Sequence, residues 1–215
     1  WSDLDRLNKE RDLVGIYLSA HPLDEYEVIL ENVCNVKMAA LTDLTPLQNL
    51  DLILGGIVTG VREGYTKTGK PYGIAKVEDY SGSAEFAFFG NDWIEKKNFF
   101  NIGMFLYMKG KCQPKQWRQD EYEVKINTIE LLPDVKDEVV EQLTVSAPLS
   151  EINDEFIEEF SSLVKEHPGK VILNFYVKDD DGQHINLTSR DYKINLQKDI
   201  IVYLKSQSML SYKIN

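Results

Sequence analysis

Leu52-Ile53-Leu54-Gly55-Gly56-Ile57-Val58-Thr59-Gly60-Val61-Arg62-Glu63-Gly64-Tyr65 is the stretch on which the reading of this 215-residue chain turns. Apolar and β-branched residues dominate it, yet glycines interrupt it, which suits a long strand that bends sharply or is closely approached by another backbone. Residues 66–71 then supply turn chemistry, 72–79 a second strand, 80–82 a tight turn and 83–89 a third strand. Asn91 or Asp92 is placed to cap a short helix ending near Phe99 or Phe100, Gly103 precedes a fourth strand at 104–112, and 121–132 reads as a fifth. Three strands, a helix and two more strands is the element order of a five-stranded Greek-key barrel of OB type.

Outward from the barrel the period changes. Ser2 and Asp5 form a capping-box-like start, and Leu4, Leu7, Val14 and Leu18 keep helical spacing until Ser19-Ala20-His21-Pro22 breaks it. Pro22 suits the first turn of a second helix over 23–32, so 1–32 reads as a broken helical pair and 1–50 as a helical connector packed on the barrel. Beyond the barrel domain at 51–133 come an acidic linker at 134–141 and a domain at 142–215. In that domain 143–149 reads as a strand and 153–166 as a helix with Phe156, Phe160, Leu163 and Val164 on one face. Strands follow at 171–177 and 184–187 around an Asp-Gly turn, with a weaker strand signal at 192–194, a helix at 197–206 and a strand at 210–214. The order is β-α-β-β-α-β, expected to fold as the split, ferredoxin-like α+β arrangement.

Charge separates these parts. Residues 1–50 carry 4 basic and 9 acidic side chains, 51–133 carry 11 of each, and 134–215 carry 9 and 15. Acidic flanks repel phosphate backbones and suit protein contacts, whereas the barrel is neutral. Cys34 and Cys112 lie far apart in different elements, which fits reduced thiols in a reducing compartment. With no run of 18 apolar residues and no signal-like start, the expected location is the cytoplasm, away from membranes.

Gly64-Tyr65-Thr66-Lys67-Thr68-Gly69-Lys70-Pro71 satisfies seven positions of a phosphate-cradling loop and fails at the eighth. A Ser or Thr there would bind magnesium and open a helix, whereas Pro71 has no hydroxyl and a strand follows. The same residues fit a loop that tracks a nucleic-acid backbone: Lys67 and Lys70 flank a glycine, and Tyr65 and Tyr72 stand at its ends as stacking candidates. The fourth-to-fifth-strand hairpin repeats this chemistry with Lys111, Lys115, Trp117 and Arg118, and Arg62 completes the candidate set. In an OB barrel these two loops border one groove. The competing reading makes the lysines solubilising hairpin tips and Trp117 a surface aromatic.

Other constellations carry no chemistry. His21, His167 and His184 lack ligand spacing, Asp179-Asp180-Asp181-Gly182 lacks the alternating oxygens of a calcium loop, and Glu155, Glu158 and Glu159 read as a wet helix face. No catalytic residues and no cofactor or metal site are expected from the sequence.

Glu10-Arg11-Asp12-Leu13-Val14-Gly15-Ile16-Tyr17-Leu18-Ser19-Ala20-His21-Pro22-Leu23-Asp24-Glu25-Tyr26 closely resembles a stretch of the bacterial replicative DNA polymerase III alpha subunit that precedes its OB domain. Val77-Glu78-Asp79-Tyr80-Ser81-Gly82-Ser83-Ala84-Glu85 is similar to the second-to-third-strand turn of that domain, and the tail lies where the family has its C-terminal domain. The resemblance implies that the polymerase active site, with its metal-binding aspartates, and the histidinol-phosphatase-like domain lie upstream of Trp1. It implies the same for the internal sliding-clamp peptide; Gln48-Asn49-Leu50-Asp51-Leu52-Ile53 has some of that composition but enters a strand. It further implies that the OB domain holds single-stranded DNA template and that the tail docks the clamp-loader tau subunit, among other replisome proteins. A free-standing OB protein binding RNA or tRNA, which would prefer ribose, and a purely protein-binding barrel are the alternatives.

Overall fold

A computed structural model of the chain describes residues 13, 21–116, 118–136, 138–179 and 181–215. The helix expected before residue 20, Trp117 and Asp180 therefore lie outside the described residues. The chain divides into two compact units, one built on Cys34–Val135 with the residues up to Leu30, the other on Lys136–Asn215 with Glu31–Val33.

In the first unit, β1 (Asp51–Tyr65), β2 (Pro71–Asp79), β3 (Gly82–Phe89), β4 (Phe105–Lys115) and β5 (Arg118–Leu131) form one antiparallel sheet in the order β3-β2-β1-β4-β5. The long first strand serves two partners: its first half, to Ile57, pairs with β4, and its second half, from Ile57, pairs with β2. The register slips between Val58 and Gly60, where the strand bends. Gly56 sits just before this bend, and a Cβ there would stand 2.6 Å from the carbonyl oxygen of Glu78. Leu52, Leu54, Ala75, Val77, Phe86, Phe88, Leu106 and Met108 fill a single core, each fully buried Leu contributing about 1.5–3 kcal/mol of transfer free energy.

The helix after β3 occupies Asn91–Lys96, extended by a 3-10 turn at Lys97–Phe99. Its N-cap is Gly90 rather than Asn91 or Asp92, and no side chain caps it. The chain must reverse out of β3 while the Gly90 amide bonds Pro71 O at 2.7 Å, and φ of +59° at that point favours glycine.

Before the barrel run a 3-10 turn at Asp24–Tyr26, a helix, α1 (Glu27–Asn32), and 3-10 turns at Met38–Thr42 and Thr45–Leu47. Val36, Met38, Leu41, Leu44 and Leu47 pack against the barrel core. The two segments that carry the family resemblance meet here. Asp24 accepts the His21 amide at 3.0 Å and the Tyr80 hydroxyl at 2.9 Å, while the His21 and Tyr80 rings lie 4.5 Å apart. Asp79 accepts the amides of Met38, Ser81 and Gly82 together with the Ser81 hydroxyl. These motifs are joints between the connector and the β2–β3 turn.

The second unit orders its strands β8-β7-β6-β9: β6 (Gln142–Pro148), β7 (Pro168–Lys178), β8 (His184–Ile194) and β9 (Ser211–Ile214). Helices Asp154–Glu166 and Lys198–Ser206 complete the β-α-β-β-α-β order. Asn153 caps the first by accepting the Phe156 amide at 2.9 Å. The connectivity is not split. β6 and β7 pair directly and in parallel, and β8 lies at the edge instead of being inserted between them. Burial fits this order: β6 buries Leu143, Val145 and Ala147 against the core, whereas almost every residue of β8 is exposed and tolerates an edge. The strand signal that faded around Ser189 marks a register slip within this one strand. No helix among the described residues is long and apolar enough to cross a membrane.

Candidate nucleic-acid interface

Strand alternation builds a continuous outer face on β1, β2 and β3. On β2, Gly73, Ala75 and Val77 are buried, so Tyr72, Ile74 and Lys76 point outward. Pairing sets three rows across it: Gly64–Tyr72–Phe89, Arg62–Ile74–Ala87 and Gly60–Lys76–Glu85. Glycine stands on β1 in the two outer rows, and Ala87 on β3 in the middle one. One edge is aromatic: the Tyr72 and Phe89 ring centroids are 6.1 Å apart, and Phe89 is 57% exposed. The Tyr72 ring lies over Gly64, where a Cβ would come within 3.2–3.3 Å of it. A sheet surface edged by accessible aromatic rings suits base stacking.

The β1–β2 turn adjoins that aromatic row. The Thr66 amide donates to Lys70 O at 2.8 Å and the Lys70 amide to the Thr66 hydroxyl at 3.1 Å, the Gly69 amide bonds Thr66 O at 2.9 Å, and Gly69 adopts φ of +77°. Lys67 and Lys70 are exposed on this turn, and a strand, not a helix, follows it. Tyr65 is 78% exposed but sits opposite Pro71, one residue out of phase with Tyr72, so strand parity sends the two tyrosines to opposite faces.

The remaining candidates are counter-charged, Arg62 within the middle row of this face and Lys111, Lys115 and Arg118 away from it. Arg62 donates to both carboxylate oxygens of Glu85 at 2.8 Å. On the β4–β5 hairpin Lys115 and Arg118 both donate to Glu121 at 2.6 Å, and these two bonds hold the Glu121 carboxyl below its usual range. Lys115, Gln116, Arg118, Glu121 and Glu123 line a hollow of ≈ 330 Å³ beside them. Lys111 pairs with Asp51 at the start of β1, 3.9 Å away. The two hairpin loops therefore stand at opposite ends of β1, one beyond Tyr65 and one beside Asp51.

Phe89, Lys76 and Ile74 escaped the sequence reading, although period-two counting along Phe86-Ala87-Phe88-Phe89 already sends Phe89 outward. The ion pairs of Glu85 and Glu121 had no such signal, since they depend on cross-strand register and on the path of the hairpin. Each histidine serves its own locality: His21 at Tyr80, His167 at Asp199 and His184 at Tyr176. Cys34 and Cys112 are both free thiols, and burial pushes that of Cys34 up to about 12. Asn49 bonds Cys112 O, fixing the residues that lead into β1.

Residues 143–215 match the model of the DNA polymerase III alpha subunit, C-terminal domain, and residues 52–132 match that of the OB-fold nucleic acid binding domain. The DNA polymerase III subunit alpha of Vibrio cholerae is 27% identical over 194 residues, 85% of this chain and 16% of that protein. That of Bacillus subtilis is 25% identical over 202 residues, 94% of this chain and 17% of the relative. The chain thus spans about one sixth of the length of these relatives. Among solved structures, the SSB domain of a Synechococcus protein aligns at 15% identity with a TM-score of 0.29, covering 38% of this chain and 93% of that domain.

Proposed function

We propose, for a chain that belongs to the DNA polymerase III alpha family in its C-terminal region, that the barrel holds single-stranded DNA and the C-terminal domain docks another replisome protein, the clamp-loader tau subunit. The observation that carries the first half is the outer face of β1–β3, where Tyr72 and Phe89 pair at one edge and Lys67 and Lys70 stand on the adjoining turn. Stacking there is worth about 1–3 kcal/mol per base, and the lysines add a sequence-independent, salt-sensitive attraction. Counter-charging of Arg62, Lys115 and Arg118 makes the attraction weak, as suits a module that hands template along. On this reading polymerisation chemistry, its metal ions and any cofactor reside outside these residues, and the site of action is the bacterial cytoplasm. The tau assignment is supported by the family match of residues 143–215 and by the acidic balance of that region.

Fluorescence anisotropy of a labelled oligothymidylate across a salt series tests the barrel. Binding should fall steeply with salt and drop when Lys67, Lys70, Lys115 and Arg118 are replaced together, or when Tyr72 and Phe89 become alanine. Unchanged affinity in both variants would remove the assignment, and preference for the ribose oligomer would transfer it to RNA. Deleting residues 142–215 should abolish co-purification with tau; retained tau would sink the docking half.

A further inference from the structure

The helices of the C-terminal unit leave one face of its sheet uncovered, and in this acidic domain the paired positions of that face hold no acid. Leu143, Val145, Leu173 and Val177 point into the core, so Thr144, Ser146, Asn174 and Tyr176 point the other way. Pairing brings Lys193 beside Ile172, Lys213 beside Thr144 and His184 beside Lys178 on that same face. No paired position of the face holds Asp or Glu, although residues 134–215 contain 15 acidic and only 9 basic side chains. Among the described residues no carboxylate engages Lys178, Lys193 or Lys213.

Two features give the face the form of a binding surface. The Tyr176 and His184 rings lie 5.1 Å apart on adjacent strands, with their planes 31° apart. Beside them opens a hollow of ≈ 430 Å³ whose lining includes Ser146, Tyr176, Lys178 and Ser211, with Asp179 among the lining residues. The Asp179 carboxylate accepts the Gln183 amide at 2.8 Å and so closes the β7–β8 turn. The floor is pinned by side chains running across three strands: Thr188 donates to Asn174 at 2.8 Å, and Asn174 donates to Gln142 at 3.1 Å.

We propose that this open face is a second single-stranded nucleic-acid site, with a base stacked on Tyr176 beside His184 and phosphates met by Lys178, Lys193 and Lys213. An open four-stranded sheet bearing an aromatic platform and unengaged lysines presents the two things unpaired nucleotides recognise, a π-face and positive charge. The helical side of the same domain stays available to a protein.

The test uses the complete chain carrying Tyr72→Ala and Phe89→Ala, which removes the stacking rings of the barrel face. Oligothymidylate and oligouridylate are titrated while amide shifts and anisotropy are followed. Shifts should appear at Thr144, Ser146, Tyr176 and Lys213. Tyr176→Ala should weaken binding about tenfold while Tyr176→Phe retains it. The triple variant Lys178→Ala, Lys193→Ala, Lys213→Ala should flatten the salt dependence of log K by about 2, at about 0.7 per contact. Shifts confined to residues 51–131, or an unaltered salt slope in the triple variant, would overturn the proposal whether or not the barrel binds. So would shifts on this face from polyglutamate but not from either oligonucleotide, which would reassign it to an acidic protein partner. The two oligomers distinguish DNA from RNA as the source of the strand.

Discussion

Glu121→Gln should tighten oligonucleotide binding, an unusual direction for a substitution in a binding loop. Glu121 draws both Lys115 and Arg118 into 2.6 Å hydrogen bonds and thereby spends two of the hairpin's cations internally. Those same bonds keep its pKa low, so it is ionised and the clamp is closed throughout the neutral range. Glutamine keeps the size and shape but not the charge, leaving the cations to seek phosphate. Each new phosphate contact on a single strand adds about 0.7 to the exponent linking affinity to salt, which at about 0.1 M salt amounts to about fivefold in affinity. One to two freed cations therefore predict a gain of about 5- to 25-fold, with a salt slope steeper by about 0.7 to 1.4. Anisotropy of labelled oligothymidylate between about 50 and 200 mM salt measures both quantities. Glu123 lines the same hollow without bonding either cation, so Glu123→Gln is the control and should change the slope far less. Equal effects of the two substitutions, or no steepening with Glu121→Gln, would refute the clamp.

Tyr72→Ala and Phe89→Ala should each weaken oligonucleotide binding by about 1–3 kcal/mol, while Tyr72→Phe leaves it nearly unchanged in the same anisotropy assay. Gly73→Ala should cost about 1–3 kcal/mol in urea unfolding at unchanged m-value, because the added Cβ would stand 2.3 Å from a Trp93 ring that is buried and stacked on Phe100. Cys34 should react slowly with a thiol-directed disulfide reagent at pH 8 and rapidly once unfolded. Its folded pKa, about 12, lies above the ordinary value of 9.0, so the folded state binds the proton more tightly; its contribution to stability is complete below about pH 9 and is lost as pH rises toward 12.

Much of the barrel was legible because its signals are local. The glycine-interrupted run at 52–65, the turn chemistry at 66–71 and the alternation in 72–79 each fix a strand without reference to distant residues. The capping glycine was not legible: Asn91 and Asp92 are better caps by residue type, and Gly90 prevails only because the Pro71 carbonyl holds its amide through the reversal out of β3. The path of β8 was likewise hidden, since hydropathy says that the strand exists but not whether it is inserted or placed at an edge.

For the candidate site the division is similar. Residue type alone pointed to lysines and aromatics near the two hairpins, and composition alone showed the barrel to be neutral between acidic flanks. Only the fold decided which of these share a surface. Parity separated Tyr65 from Tyr72, cross-strand register joined Tyr72 to Phe89 and placed Arg62 within reach of Glu85, and the β4–β5 hairpin delivered Lys115 and Arg118 to Glu121. Periodicity is a property of neighbours along the chain, so the sequence by itself determined which strands form and which face of each is wet. Register and hairpin geometry are properties of strands that meet across the sheet, so only the tertiary structure decided which charges are spent on each other and which remain for a ligand.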